Sequence, residues 1–355
     1  MGDPQGPFDK LLEVLRRHGA LDGERLASGV VLVSIGDHFD YDVGDWQTAG
    51  QDGLRLLRWL ASHDPAQAVL LLGNHDAARV MELVAISDAR FAAARRFAQG
   101  IDRDPARPSA WRRDAGFRAA FPELPSAGMA GRDYASFSVE QRALVMELLL
   151  AGRFDLARVG ELADGRPALL THAGVTAREV GMLGAAAEPR AIADALQDAL
   201  ACAIDRVRDD WTRGIATPLS LEPLHIAGSP GEDGAGLLYH RPINPDRSGG
   251  DRAWQFAPGR PRRFDPRTLP PGVTQIAGHT GHHHCLIELD GWATAAACSR
   301  PHGGIRTLRV AGPSVIYDLG VAEPAAGATD LILIDGELWR VPAAEVALLA
   351  LAGLR

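Results

Sequence analysis

The sequence predicts an α/β fold in which short buried strands alternate with helices around layered sheets. Three observations predict it. Apolar runs of four to six residues, at 30–35, 69–72 and 168–171, are separated by stretches in which apolar residues recur at helical spacing. Each run stops at a polar segment, usually one with glycine, as a buried strand does when it leaves a sheet. Towards the C-terminus, alternating runs at 285–289, 307–310, 315–317, 331–334 and 338–341 are split by Asp-Gly pairs at 290–291 and 335–336. That pattern suggests an antiparallel second sheet.

The elements follow in order. Residues 2–7 (Gly-Asp-Pro-Gln-Gly-Pro) are too rich in turn formers to be the interior of a helix or strand. Phe8, Leu11, Leu12 and Leu15 then mark a helix, and Gly19 stands where a C-terminal cap belongs. A polar loop therefore feeds a helix N-terminus, a place that suits anions. The strand at 30–35 ends at Gly36-Asp37-His38-Phe39-Asp40, and Leu54, Leu57, Leu60 and Ala61 form the next helix. The strand at 69–72 ends at Gly73-Asn74-His75-Asp76. Residues 77–165 are rich in Ala and Arg and are broken by Pro105, Pro108, Pro122 and Pro125. They read as a helical insertion, either a lid over one end of the sheet or simply solvated helices. The strand at 168–171 ends at His172-Ala173-Gly174, and a helix follows over 188–211. Residues 228–272 read as a long irregular loop, and the strand at 274–277 ends at Gly278-His279-Thr280-Gly281-His282-His283-His284. A small helix is expected over 343–354. The chain is read as one domain, 1–355, carrying the insertion at about 77–165.

Bulk composition bounds the function. A chain of 355 residues buries a sizeable core, and 46% apolar with 23% charged residues is the make-up of a soluble globular protein. A net charge of −8 argues against a general nucleic-acid or anionic-membrane binder. Cys202, Cys285 and Cys298 have no metal-type spacing and read as reduced thiols of a cytoplasmic protein. No apolar run reaches membrane-spanning length.

The chemistry lies in a repeated construction. Four strands end in clusters that can bind metal: Asp37/Asp40, Asn74/His75/Asp76, His172, and His279/His282. Strand C-terminal ends in an α/β sheet converge on one crevice, so residues far apart in sequence can meet there. Oxygen and imidazole donors without thiolate suit Mn, Fe or Zn. An aspartate bridging two ions about 3.5–4 Å apart would activate water and clamp a displacement at phosphorus. Polar loops that merely follow strands would account for one or two such clusters, not for the whole set.

Taken together, Gly2-Asp3-Pro4-Gln5-Gly6, Gly36-Asp37-His38-Phe39-Asp40, Gly73-Asn74-His75-Asp76, His172-Ala173-Gly174 and Gly278-His279-Thr280 resemble the ordered motifs of the calcineurin-like metallophosphoesterases. His-Ala-Gly and Gly-His-Thr look most like the branch that holds phosphoprotein phosphatases and bacterial dinucleoside-tetraphosphate hydrolases. The resemblance spans residues 2–282 and implies a four-layer α/β/β/α sandwich. It implies two divalent ions, Mn expected and Fe or Zn as alternatives, and hydrolysis of a phosphate ester or anhydride by a hydroxide bridging them. Carried over by position, Asp3 and Gln5 would hold the first ion, Asp37 would bridge, and Asn74, His172 and His279 would hold the second. His75 would protonate the leaving oxygen, oriented by Asp40. His282 falls one residue late for a further histidine ligand of the first ion, so ligand and surface roles both stay open.

This chain departs from the family pattern in three ways. Gln5 stands where the family usually has His, and an amide oxygen favours a harder ion. Tyr41 occupies the position of the phosphate-clamping Arg of protein phosphatases, and Asp76 replaces their Glu. Arg241 and Arg252 are the candidate substitutes for phosphate contact, though each also reads as an ordinary surface arginine. Asp3 is almost the first residue, whereas the family's motif follows an interior strand. The expectation is therefore either a start that lies further upstream or a first metal site on a frayed terminus. His283 and His284 read as the rim of the same site rather than as a separate metal store. The substrate expected is a phosphorylated small molecule or nucleotide. A serine/threonine protein phosphatase, or a catalytically impaired phospho-ligand binder, is the alternative. Oligomeric state is not legible.

Overall fold

The computed structural model describes residues 1–41, 45–102, 115–247 and 259–354. Two sheets form its centre. The smaller joins β1 (Leu32–Ser34), β2 (Ala68–Leu71) and β3 (Phe154–Asp155), all parallel. The larger is mixed and uses β4 (Ala157–Glu161), β5 (Pro167–Thr171), β6 (Thr274–Ala277), β7 (Arg306–Ala311), β8 (Ser314–Leu319), β9 (Ala328–Leu333) and β10 (Gly353–Leu354). Its strand order is β8-β7-β9-β6-β5-β4-β10.

Alternation along the strands decides which face is buried against what. Val33, Ile35, Val69 and Leu71 of the small sheet meet Ala168, Leu170, Ile276 and Ile332 of the large one in a single apolar cluster. The intervening Leu32 and Leu70 point the other way, into a cluster with α1 (Phe8–Arg17), α2 (Trp46–Ala61) and α4 (Val139–Leu150). Leu169 and Val159 pack on the same cluster beside α5 (Pro189–Thr212), while Ala277, Leu331 and Leu333 pack with Cys285 and Leu289.

Register brings the strand ends together. Val33 lies opposite Val69, so the loops after β1 and β2 leave side by side. Thr171 lies opposite Ala277, so His172 and Gly278 do the same, and the Gly278 N–H donates to His172 O at 2.9 Å. The first two loops touch through glycine: a Cβ on Gly73 would stand 2.2 Å from both the backbone N and Oδ1 of Asp37.

Several sequence expectations need correction. The predicted C-terminal sheet is not separate: β7 pairs antiparallel with β8 on one side and β9 on the other, and β9 continues through the parallel β6 into β5. Residues 285–289 are not a strand but part of α6 (His282–Glu288) and its cap. Cys285 and Leu289, four apart, are both fully buried while Ile287 is exposed, a helical face that a five-residue run conceals. Residues 338–341 form a turn in which Leu338 packs with α1. The expected helix at 343–354 is one 3-10 turn (Ala343–Glu345) followed by extended chain that ends in β10 against β4. The described part of the insertion before α4 is helices joined by turns, but 154–161 supplies β3 and β4, and α4 packs into the main core. Residues between Ala78 and Phe137 have an apolar cluster of their own. Pro105 and Pro108 lie outside the described residues.

The N-terminus is tied down rather than frayed. The Met1 amine donates to Val33 O at 2.9 Å and the Ile35 N–H donates to Met1 O at 3.1 Å, a one-residue pairing on the free edge of β1. A cleft of about 940 Å³ opens beside this edge, walled by Val31, Val33, Ile276, Leu349 and Leu351. It is largely apolar and contains none of Asp37, Asn74, His172 and His279. Among the described residues, no helix is long and apolar enough to cross a membrane.

Candidate metal centre

The strand-end loops meet over a small pocket of about 130 Å³ lined by Asp3, Gln5, Asp37, His75, Arg241 and His279 on one part of its wall. Asp37 is 2% exposed and has a left-handed φ of 57°. Its loop is held by Asp76, in α3 (Asn74–Ala78), whose carboxylate accepts the N–H groups of Gly73, Asp37 and His38 at 3.0–3.1 Å. Asp76 also accepts from His38 Nδ1 at 3.0 Å. It therefore points away from the pocket and clasps the two loops, a role its place in the metal-capable cluster concealed.

Hydrogen bonds to carbonyls determine which nitrogens of His172 and His279 turn towards the neighbouring donors. His172 Nδ1 lies 2.8 Å from Ile35 O, and a carbonyl can only accept, so Nδ1 carries the proton. Nε2 then turns to Asn74 Oδ1 at 3.0 Å and Asp37 Oδ1 at 3.4 Å, and in the neutral ring it is the nitrogen that can bind a metal. His279 Nε2 lies 3.0 Å from Tyr239 O, which fixes its proton there in the same way. The 3.3 Å approach of Arg241 Nε to that nitrogen is then a close contact between two N–H groups rather than a hydrogen bond. His279 Nδ1 is buried without a partner. Burial, with Arg241 and His172 beside it, pushes the His279 pKa well below its ordinary value, so the ring is neutral.

Asp37, His172 and His279 each offer a donor atom within 4.8 Å of the others. Imidazole nitrogen and carboxylate oxygen at this spacing are donor types that divalent transition metals take. The donor set therefore fits a divalent ion. Asn74 Oδ1 belongs to the same group. Asp3, 7% exposed, accepts the His279 N–H on both oxygens at 2.9 and 3.0 Å. Gly278 makes room for it, since a Cβ there would stand 2.1 Å from Asp3 Oδ1. Burial, then Asp335 and Asp37, push the Asp3 pKa well up. Gln5 lines the pocket with its Nε2 buried and unpartnered.

Beside this cluster, His75 Nδ1 lies 3.0 Å from Asp40 Oδ2, while Nε2 faces Asp37 Oδ2 at 3.8 Å. Asp40 is itself gripped: Ser136 donates its N–H at 3.0 Å and its hydroxyl at 2.6 Å, and Arg79 Nη2 lies 2.6 Å away. Burial alone would raise the Asp40 pKa, but Arg79 and the hydrogen bonds from His75 and Ser136 bring it down to about 2. For His75, burial works downward, yet the Asp37 and Asp40 carboxylates outweigh it and hold the pKa above the ordinary value.

Sequence reasoning missed Arg79, Ser136 and Gln141. Arg79 is fully buried, donates to His75 O at 2.7 Å and to Gln141 Oε1 at 3.1 and 3.2 Å, and lies over the Phe39 ring at 4.6 Å. Ser136 and Gln141 come from the segment read as an insertion, so that segment holds Asp40 in place. Replacing Arg79 by Met leaves Asp40 without its cation in the interior. We expect Arg79→Met to lose about 3–5 kcal/mol in urea unfolding at neutral pH. A depressed carboxylate pKa stabilises the fold above its unfolded value and the gain is lost as pH falls through about 2, so wild type should shed roughly 2 kcal/mol between pH 4 and pH 2. A variant as stable as wild type would refute Arg79 as the counter-ion.

Other predicted residues fare differently. His282 is taken out of the site: it is fully buried, with Nε2 3.1 Å from Gly304 O and Nδ1 3.1 Å from the Tyr317 hydroxyl. The turn into α6 directs it inward, so it is a core histidine, not a ligand. Arg241 does reach the pocket wall, and His284 joins it at the rim. Arg252 lies outside the described residues. Tyr41 is buried and donates to Asp52 Oδ2 of α2 at 2.5 Å, away from the pocket. Cys202, Cys285 and Cys298 are free thiols.

Residues 1–150 match the family model for the calcineurin-like phosphoesterases, whose members are metal-dependent phosphoric ester hydrolases. The matched stretch carries Asp3, Gln5, Asp37, Asp40, Asn74 and His75 and stops before His172 and His279. No curated protein and no solved structure matches the chain.

Proposed function

We propose that this chain is a dinuclear metal-dependent phosphoesterase that acts on a phosphorylated small molecule or nucleotide. The observation that carries the reading is the convergence of metal-capable donors from four strand ends, His172 Nε2, His279 Nδ1, Asp37 and Asn74 Oδ1, beside the His75–Asp40 pair. Face-to-face packing of the two sheets supports the four-layer sandwich expected from the resemblance.

In this reading Asp3, Gln5 and Asp37 hold the first ion, and Asp37, Asn74, His172 and His279 hold the second. Divalent ions there supply Lewis-acid charge at phosphorus and lower the pKa of water. The protein does the rest. Ile35 O and Tyr239 O lock the tautomers of His172 and His279, and Asp76 fixes the loop that presents Asp37. Asp40, kept ionised, holds Nδ1–H of His75 so that a proton on Nε2 faces the pocket and can pass to the leaving oxygen. Arg241 on the wall would meet a non-bridging phosphoryl oxygen.

With Tyr41 bonded to Asp52, nothing at that position clamps phosphate as protein phosphatases of this branch do, so a small-molecule substrate ranks above a phosphoprotein. Reduced thiols and the acidic charge support a cytoplasmic setting. The test is Mn-dependent hydrolysis of an aryl phosphate monoester, a diester and a dinucleoside polyphosphate, run beside a phosphopeptide. Turnover of a small substrate with none of the phosphopeptide is expected. Turnover of the phosphopeptide alone would reverse the ranking. Inactivity on all four, with fewer than two Mn ions bound per chain, would favour a phospho-ligand binder.

A further inference from the structure

Within the dinuclear reading, on which this inference rests, we propose that Asp335 is a ligand of the first ion and makes that position an all-oxygen site with Asp3, Gln5 and Asp37. It would then prefer a hard cation such as Mn²⁺ to Zn²⁺. The second position, with two imidazoles, is chemically different.

The sheet delivers Asp335 to the place where Asp3 sits. β9 runs parallel to β6, and the Ile334 N–H donates to Ala277 O at 2.9 Å, so 334–337 leaves the sheet beside Gly278-His279. The N-terminal segment lies directly on it: a Cβ on Gly2 would stand 2.2 Å from Ile334 O and 2.8 Å from the Asp335 N. Asp335 is 8% exposed and lines the same pocket as Asp3, Gln5 and Asp37. Its Oδ1 accepts the Glu337 N–H at 2.9 Å, which fixes the carboxylate's orientation.

Space at residue 281 is given over to these acids. A Cβ on Gly281 would stand 2.9 Å from the Glu337 carboxyl carbon and 3.4 Å from Asp335 Oδ2. The carboxylates thus fill the volume that a side chain at 281 would need. Glu337 is already engaged, paired with His302 Nδ1 at 2.6 Å and Arg340 Nε at 3.0 Å. With a φ of 58° and those partners it acts as a positioning residue for Asp335 rather than as a ligand. Two orphaned atoms lie on this pocket, His279 Nδ1, which the second position takes, and Gln5 Nε2, which the second position leaves without a partner and which points to a ligand at the first independently of the acids. Turning the Gln5 amide by half a rotation presents its oxygen instead, and the two assignments differ only in hydrogen-bond partners. Three carboxylates and an amide oxygen around so small a space repel one another, and either protons or a cation among them relieve it.

The experiment is equilibrium dialysis of metal-free protein against Mn²⁺, read by elemental analysis and Mn electron paramagnetic resonance. Wild type should take up two ions, with the spin–spin coupling of a close pair. Asp335→Asn keeps the oxygen that accepts the Glu337 N–H, so it should fold, retain one ion and lose the coupling signal, with the other affinity weakened about tenfold or more. Asp335→His puts nitrogen in the first position and should shift its Mn/Zn preference towards Zn. Two tightly bound, coupled ions in Asp335→Asn, or an unchanged metal preference in Asp335→His, would overturn the assignment while leaving the dinuclear reading intact. Fewer than two ions in wild type would overturn the dinuclear reading itself, and this inference with it.

Discussion

Asp37→Asn should abolish metal-dependent hydrolysis, lowering kcat/KM by about 10³-fold or more while leaving the fold intact. Both effects follow from where Asp37 sits. It is placed against both halves of the site, 3.4 Å from His172 Nε2 on one side and sharing the pocket with Asp3 and Gln5 on the other. In the dinuclear reading, removing its charge weakens both ion positions at once, and a Lewis acid at phosphorus is worth several kcal/mol of barrier, each 1.4 kcal/mol being tenfold in rate. The asparagine oxygen still accepts the His75 N–H that Asp37 Oδ1 accepts at 2.8 Å, so the loop geometry survives. In metal-free protein the variant should be as stable as wild type or more so, because a buried carboxylate facing Asp3 and Asp335 has been neutralised. Activity and melting temperature measured on the same preparations check both halves. Equal activity in variant and wild type would mean that the site lies elsewhere.

His75→Ala carries the second largest expected effect, a fall of about 10²–10⁴-fold in kcat with little change in KM. Its signature is the leaving group. A 4-nitrophenyl ester departs without help, so the loss there should be small, whereas an alkyl phosphate needs the proton and should show the full loss. The pH profile gives an independent readout. An acid must be protonated to act, so wild-type kcat on the alkyl ester should decline as pH rises through the His75 pKa, which Asp37 and Asp40 hold above the ordinary 6.5. That alkaline limb should vanish in His75→Ala. Equal losses on both esters would assign His75 to substrate positioning rather than to proton transfer.

Much of the site was legible because its signal is local. A strand of four or so apolar residues, a glycine and then a short donor side chain is a complete physical unit, and it recurs around Asp37, Asn74, His172 and His279. Convergence of those units follows from parallel strands sharing one end, so the residues could be grouped before any contact was seen. The helices at 8–17 and 189–212 were equally plain, since their apolar stripes run over several turns.

Where the run was short, periodicity could not decide. Residues 285–289 and 343–354 read as strand and helix and proved to be helix and extended chain, because the packing partners, not the local pattern, set the outcome. His282 shows the same limit: one residue of register separates a ligand from a core histidine, and only the turn into α6 settles which way the ring points. Arg79, Ser136 and Asp335 carried no local signal at all. Each matters through a partner far along the chain: Asp40 lies 96 residues from Ser136, and Glu337 with Gly281 brings Asp335 to Asp3. The inventory of donors and the strand ends that display them are readable from the chain, because they depend on neighbours a few residues away. Tertiary structure alone decided which nitrogen of each histidine is free, which carboxylate is a clasp and which faces the pocket, because carbonyls and cations from other elements set the proton positions.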